Sequence, residues 1–369
     1  MVLDRRAFLK GVTIAGAAGF LGGTLAESAA ARLAPAPGDF DFIFFTDTHI
    51  EPELNAPQGC DACFRKIAKM KSDFAIMGGD HVYDATAVDH SRAKTVFDLY
   101  AKAEELLEMP VHHVIGNHDP FGISVKSGVA ANDPEYGKKM YEERIGQKTY
   151  YSFDHKGYHF VVLDSIQPTG DRLWDARIDN AQLAWLEDDL KKAGTQTPVI
   201  AAVHVPLVTA FTTFAGEWVR AGDKYSTLSV GNASEVLRLF AGHNVLAVLQ
   251  GHTHVNEIVQ YQGIQFITSG AVCGNWWHGP RMGVPEGFTV ASLRGGKITT
   301  RYETYGFHSI DVREKFGRER RVAAPRPEQE QETSCHSWQL PLGPRRSHPL
   351  NRSSERCRET TGNLREAGA

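Results

Sequence analysis

The chain has 369 residues, a formal net charge of -4, 42% hydrophobic residues and 23% charged residues. That length can bury one large α/β domain, and the composition is that of an ordinary globular protein. The near-balanced charge excludes a global attraction to nucleic-acid polymers or acidic membranes.

Residues 1–37 read as a targeting segment and short linker rather than part of a fold. Asp4-Arg5-Arg6-Ala7-Phe8-Leu9-Lys10 places two arginines before Phe-Leu-Lys. A weakly apolar, Gly/Ala-rich run follows from Gly11 to Ala26, and small residues from Ser28 to Ala31 offer cleavage positions. The block resembles a twin-arginine export signal. That resemblance implies the Tat export machinery as a partner and a periplasmic or extracellular location. The apolar run is too short and too Gly-rich for a membrane span, so no stable span is expected after processing.

Phe40 to Phe45 is an apolar run that predicts a buried strand. Cys63 to Lys71 has helical spacing, with Phe64, Ile67 and Met70 on one face. Asp73 to Met77 predicts a strand, Ala87 to Glu108 a long amphipathic helix, and Val111 to Ile115 a third strand. This alternation argues for parallel strands with crossover helices. Thr149–Phe153 and Tyr158–Asp164 flank a turn at His155-Lys156-Gly157. Asn180 is expected to cap a helix running to about Lys192, and Pro198–Val203 is the next strand. A helix over Ala233–Ala241 and a strand over Val245–Leu249 follow. Two hairpins close the domain: Ile258–Tyr261 with Gln265–Thr268, and Phe288–Leu293 with Lys297–Thr304. The domain is placed at 38–308. From 309 to 369 apolar periodicity fades, and the tail reads as disordered or as a basic interaction tail.

Cys60 and Cys63 form a C-x-x-C that is expected in a loop just before a helix. The spacing fits a local disulfide, a redox pair or ordinary loop cysteines, and no second C-x-x-C exists to complete a zinc site. Cys273 is expected near the rim of a site, while Cys335 and Cys357 fall in the tail.

Five short blocks carry the chemistry: Asp47-Thr48-His49, Gly79-Asp80, Gly116-Asn117-His118-Asp119, a lone His204, and Gly251-His252-Thr253-His254. Each follows a predicted strand, and ligands in open α/β sheets gather at the carboxyl ends of strands. Carboxylate, imidazole and amide oxygen together suit two divalent metals such as Mn, Fe or Zn. Two such metals clamp a phosphate and activate a water between them.

In this order the blocks resemble the calcineurin-like metallophosphoesterase superfamily, whose pattern is D-x-H, G-D, G-N-H-D/E, H and G-H-x-H. The match runs over about residues 40 to 305. It implies a four-layer αββα sandwich, with two mixed β-sheets flanked by helices. It also implies a hydrolase of phosphate esters in which a metal-activated water attacks phosphorus in line. Asp47, His49 and His254 would hold the first metal, and Asn117, His204 and His252 the second. Asp80 would bridge both. His118 would assist the leaving group, with Asp119 orienting its ring. The purple acid phosphatase branch has an iron-binding tyrosine where Tyr83 stands. That branch lacks the first-motif histidine that His49 supplies, so Tyr83 is not expected to ligate. His81 is expected to pack behind the site.

The size resembles the compact, class III cyclic-nucleotide phosphodiesterase-like branch, which tips the expectation slightly toward a phosphodiesterase. The alternatives are an acid-phosphatase-like phosphomonoesterase and a non-catalytic scaffold. The substrate is expected to be a small phosphate ester. Trp276, Trp277 and Arg281 offer stacking and charge near the rim, or simply pack a loop. Leu207, Phe211, Phe214 and Trp218 lie in a long segment that could contact a lipid or act as a lid. Oligomeric state is not legible.

Overall fold

The computed structural model describes residues 37–215 and 224–313. The segment before Pro37 that is expected to direct export, Trp218, and the tail beyond Arg313 with Cys335 and Cys357 lie outside the described residues.

Strand β1 (Phe40–Phe45) shows how the sequence makes the layers. Phe40, Phe42 and Phe44 point one way, into a core shared with Phe160, Val162, Ile200 and Leu249. Ile43 and Phe45 point the other way, into a core with Phe64 and Ile67 of helix α1 (Ala56–Ala68). A strand buried on both faces must be apolar at every position, and this one is nearly so.

Two large sheets result. One runs β13-β12-β1-β2-β3, with β2 at Ala75–Met77, β3 at Val111–His113, β12 at Gly287–Arg294 and β13 at Lys297–Thr304. The other runs β10-β11-β9-β8-β5-β4. Here β4 is Tyr151–His155, β5 Tyr158–Leu163, β8 Pro198–Val203, β9 Asn244–Gln250, β10 Glu257–Tyr261 and β11 Ile264–Thr268. β1, β2 and β3 are mutually parallel, as are β5, β8 and β9; β12 runs antiparallel to β1, and hairpins form the outer edges at β12–β13, β10–β11 and β4–β5. The two sheets meet face to face through stacked and edge-on rings, with Phe42 and Phe160 centroids 5.6 Å apart. Helices α1 and α2 (His90–Glu104) cover one outer face, and α4 (Asn180–Ala193) and α6 (Ala233–Phe240) the other. The expected four-layer order of two mixed sheets between helices is what the chain adopts.

The departures are local. Helix α1 begins at Ala56, not near Cys63, so Cys60 and Cys63 lie inside it as fully buried free thiols. The loop reading of this pair is therefore corrected. Its cap residue, Asn55, is left-handed and makes no side-chain cap bond, so the usual start signal is missing. A short helix α3 (Lys139–Ile145), the hairpin β6 (Ile166–Pro168) with β7 (Trp174–Ala176), and helix α5 (Phe211–Ala215) carried no clear pattern in the sequence. Among the described residues no helix is long and apolar enough to cross a membrane.

His112, on edge strand β3, stacks flat on Phe153 with ring centroids 3.5 Å apart. Burial, then the neighbouring His113 and His155, push its pKa down to about 4. The unfolded chain therefore binds a proton that the folded chain refuses between pH 6.5 and about 4. This contribution to stability is complete above that window and is lost as pH falls through it. Replacing His112 with Phe should flatten the acid side of the stability curve. Guanidinium midpoints at pH 7.5 and pH 5 for both proteins would measure the difference.

Candidate metal centre

The five blocks sit where their strands end. Asp47 and His49 follow β1, Asp80 follows β2, and Asn117 and His118 follow β3. His204 follows β8, and His252 and His254 follow β9. The first five residues thus come from one sheet and the last three from the other, and all meet at the shared carboxyl edge.

Two carboxylates form the centre. Asp47 is fully buried, and Asp80 is 1% exposed. Asp47 Oδ2 accepts from the Thr46 hydroxyl at 2.6 Å and from the His252 amide at 3.0 Å. Its Oδ1 faces His254 Nε2 at 3.2 Å and His49 Nε2 at 3.8 Å. Asp80 Oδ1 accepts from the His118 amide at 2.8 Å. Its Oδ2 lies 3.4 Å from His49 Nε2 and 3.1 Å from His204 Nε2. One oxygen therefore stands between the two predicted metal triads. Asn117 Oδ1 is 3.2 Å from His204 Nε2.

The imidazoles are oriented by carbonyls. His204 Nδ1 donates to Gly78 O at 2.8 Å, His254 Nδ1 to Gly274 O at 2.6 Å, and His252 Nε2 to Thr227 O at 2.8 Å. A carbonyl only accepts, so each of these nitrogens must carry its hydrogen. In a neutral ring the other nitrogen is then a bare lone pair. His49 Nε2 and His254 Nε2 face each other at 3.1 Å. Ligand-capable atoms of Asp80, His204 and His252 fall within 4.8 Å of one another, as do those of His49, Asp80 and His118. Converging lone pairs and carboxylate oxygens with few donors among them are the donor set of a divalent cation site, so these residues fit a metal pair.

The backbone serves the same end. Asp47, His49, Asp80, His252 and His254 all have positive φ, between 39° and 72°. Few non-glycine residues adopt that region, and such strain concentrates at functional sites. Gly79 is needed for a related reason: its φ is 101°, and a Cβ there would lie 2.5 Å from His204 Nδ1.

His118 is half-buried, with its ring edge-on to His49 at 4.7 Å between centroids. The expectation that Asp119 orients this ring is corrected. His118 Nδ1 instead lies 2.6 Å from the Tyr83 carbonyl. Asp119 is fully buried and turned away, accepting from the amides of Asp80, His81 and Gly116 at 3.1, 2.9 and 2.8 Å and pairing with His81 Nδ1 at 2.9 Å. Three backbone donors outcompete one ring. His81 packs behind the site, as expected, with its Nε2 3.1 Å from His113 Nδ1. Tyr83 is 40% exposed and presents its ring edge to His49 at 6.5 Å. Cys273 is buried rather than at the rim, its sulfur 3.7 Å from His254 Nδ1. The roles of the Tyr83, Gly78, Gly274 and Thr227 carbonyls had no sequence signal, because any residue supplies one.

Residues 40–256 match the family model described as calcineurin-like phosphoesterase. The chain belongs to the calcineurin-like phosphoesterase family. The chain is similar to the bovine (Bos taurus) serine/threonine-protein phosphatase CPPED1, 28% identical over 202 residues. That alignment covers 53% of this chain and 56% of the relative, so the chain spans about half the length of the curated protein it matches. Among solved structures, a dimetal phosphatase of Danio rerio superposes with a TM-score of 0.51 at 16% identity, covering 72% of this chain and 96% of that one. Purple acid phosphatase PPD1 of yellow lupin (Lupinus luteus) gives 0.49 at 14% identity, covering 73% and 52%. The family implies a dinuclear metal centre, and the histidine and aspartate cluster described above could hold it.

The charges show what the cations replace. Burial alone would raise the Asp47 pKa, yet His254, His49 and His204 hold it well below the usual carboxylate range. Asp80 is likewise held down against burial, chiefly by His204 and His118. Burial would lower His204, but Asp80 and Asp47 push it up to about 9. His252, buried and beside that charge, is pushed down to about 4. With no cation the site therefore collects a proton to balance its carboxylates, and a metal must displace it. Asp80→Asn removes the shared anion and should lower bound Mn from roughly two equivalents per chain to one or none. Metal analysis after gel filtration would measure it, and unchanged stoichiometry would contradict the bridging position.

Proposed function

We propose that this calcineurin-like phosphoesterase hydrolyses phosphate esters with two divalent cations, manganese being the first to try. The cations, when bound, would supply Lewis acidity toward the phosphate and an activated water. The observation that carries this reading is Asp80 Oδ2, placed within 3.4 Å of imidazoles from both triads. Asp47, His49 and His254 would hold one cation, and Asn117, His204 and His252 the other. A scaffold has no need of this donor set together with a half-exposed His118.

His118 acts on the leaving group. The Tyr83 carbonyl occupies Nδ1 and can only accept, so Nδ1 carries a hydrogen. Nε2 is then the nitrogen that meets substrate, and the ring donates from it only when it bears both protons. Asp119 plays no direct part; it holds the amides of Asp80 and Gly116 in place.

The sequence tipped toward a phosphodiesterase. The curated bovine relative is named a phosphatase, and this favours a phosphomonoesterase. The manganese-loaded protein should therefore turn over p-nitrophenyl phosphate faster than bis-p-nitrophenyl phosphate. His118→Ala should lower kcat by about 100-fold or more with metal content retained. Preference for the diester would reverse the monoester reading. Absence of turnover of either, with two metals bound and a range of natural phosphate esters tried, would end the hydrolase reading.

Export through the twin-arginine route belongs to the same proposal and rests on Arg5-Arg6 before Phe8-Leu9-Lys10. Changing both arginines to lysine should retain the protein in the cytoplasm, as cell fractionation would reveal. Equal export of the double variant would sink it.

A further inference from the structure

Beside the metal centre the chain builds a second feature that the hydrolytic reading does not use. Trp276 is half-buried, and its ring lies 4.6 Å from that of His254 and 5.9 Å from that of His49. The Arg281 guanidinium sits over the indole at 5.3 Å, within cation–π range. Tyr83, 40% exposed, approaches His49 at 6.5 Å, and its carbonyl holds His118. His49 is thus ringed by His118, Tyr83 and Trp276, with Arg281 behind the indole.

The loop that carries Trp276 is tightly made. Trp276 and Trp277 both have positive φ, 49° and 66°. Bulky side chains rarely adopt that conformation, and it persists only where the surroundings enforce it. Trp277 does the enforcing. It is fully buried, its Nε1 donates to His49 O at 3.0 Å, and its ring fills the space over Gly59, where a Cβ would lie 2.2 Å from it. The amide of Trp277 donates to Cys273 O, and that of Asn275 to Gly279 O. One tryptophan is thus a buried anchor tied to a motif histidine, and its neighbour is held half-exposed beside the metal pocket.

We propose that Trp276, with Tyr83 and Arg281, forms a subsite for a planar aromatic group on the phosphate ester, so that Trp276 is a specificity-determining residue. The inference rests on the hydrolase reading and names its substrate class. An aromatic ring has a flat polarisable face for an indole or a phenol, and the guanidinium favours an anionic or electron-rich partner. A simple alkyl phosphate has nothing to offer such a wall. Two sources share this chemistry, an aryl phosphate such as phosphotyrosine and a nucleotide such as adenosine 5′-monophosphate.

The test uses the full, manganese-loaded protein. KM and kcat are measured for phosphotyrosine, adenosine 5′-monophosphate, phosphoserine and glycerol 2-phosphate. Metal content is measured on every variant. In the wild type, at least one aromatic substrate should have a KM about tenfold below the alkyl esters. Trp276→Ala should raise that KM about tenfold relative to the alkyl KM values measured on the same variant, and Trp276→Phe should restore the ratio. Which aromatic substrate responds identifies the source. Should Trp276→Ala lose metal, Trp276→Leu against Trp276→Phe makes the same comparison. Phenylphosphonate against methylphosphonate as inhibitors of the wild type reads ring recognition without variants or turnover of the test compound. Equal KM values across all four esters with equal inhibition by the two phosphonates would overturn the subsite. So would a uniform loss on every substrate in Trp276→Phe. A wild type that binds two metals and hydrolyses nothing would instead sink the hydrolase reading, which is a distinguishable result.

Discussion

Two carboxylates buried in a protein interior are the constraint on which this structure turns. Asp47 and Asp80 have left water almost completely, and an isolated ionised carboxylate there is prohibitively costly. Positive charge must therefore be close. Without cations it comes from a protonated His204, and with them from the metals. The three predicted ligand imidazoles pinned by carbonyls follow from the same need, since each must turn a lone pair inward while its other nitrogen stays satisfied.

The cost of assembling the centre is spread through the backbone. Five of the seven predicted ligands sit in left-handed conformations, each costing on the order of 1–3 kcal/mol. Two well-packed cores, one between the sheets and one beneath the helices, offset that strain. The aromatic layer of Phe40, Phe42, Phe74, Phe153 and Phe160 is part of why the strand ends arrive in register. Loops on a softer scaffold would relax, and the donors would separate.

Much of this was legible in the sequence because strands and ligand blocks share a signal. An apolar run such as Phe40–Phe45 followed at once by Asp-x-His announces both the strand and its chemistry. The four-layer order and the convergence of Asp47, His49, Asp80, Asn117, His204, His252 and His254 could be read that way. What failed depended on groups that sequence does not display. The start of α1 lacked a capping side chain, so Cys60 and Cys63 looked like loop residues. Asp119 looked like a partner for His118 because it stands next to it, but its true partners are backbone amides that every residue possesses. Hairpin β6–β7 was missed because three-residue strands are too short to show a period.

Asp119 has one more consequence. By gathering the amides of Asp80, His81 and Gly116 onto one carboxylate, it locks the turn after β2 to the turn after β3. Asp80, Asn117 and His118 are therefore a single rigid jaw. The opposing jaw, with His204, His252 and His254, belongs to the other sheet and meets the first through Asp47, which accepts from the His252 amide, through Gly78, which accepts from His204, and through the aromatic layer between the sheets. A substrate phosphate held by residues of both jaws would tie them together once more.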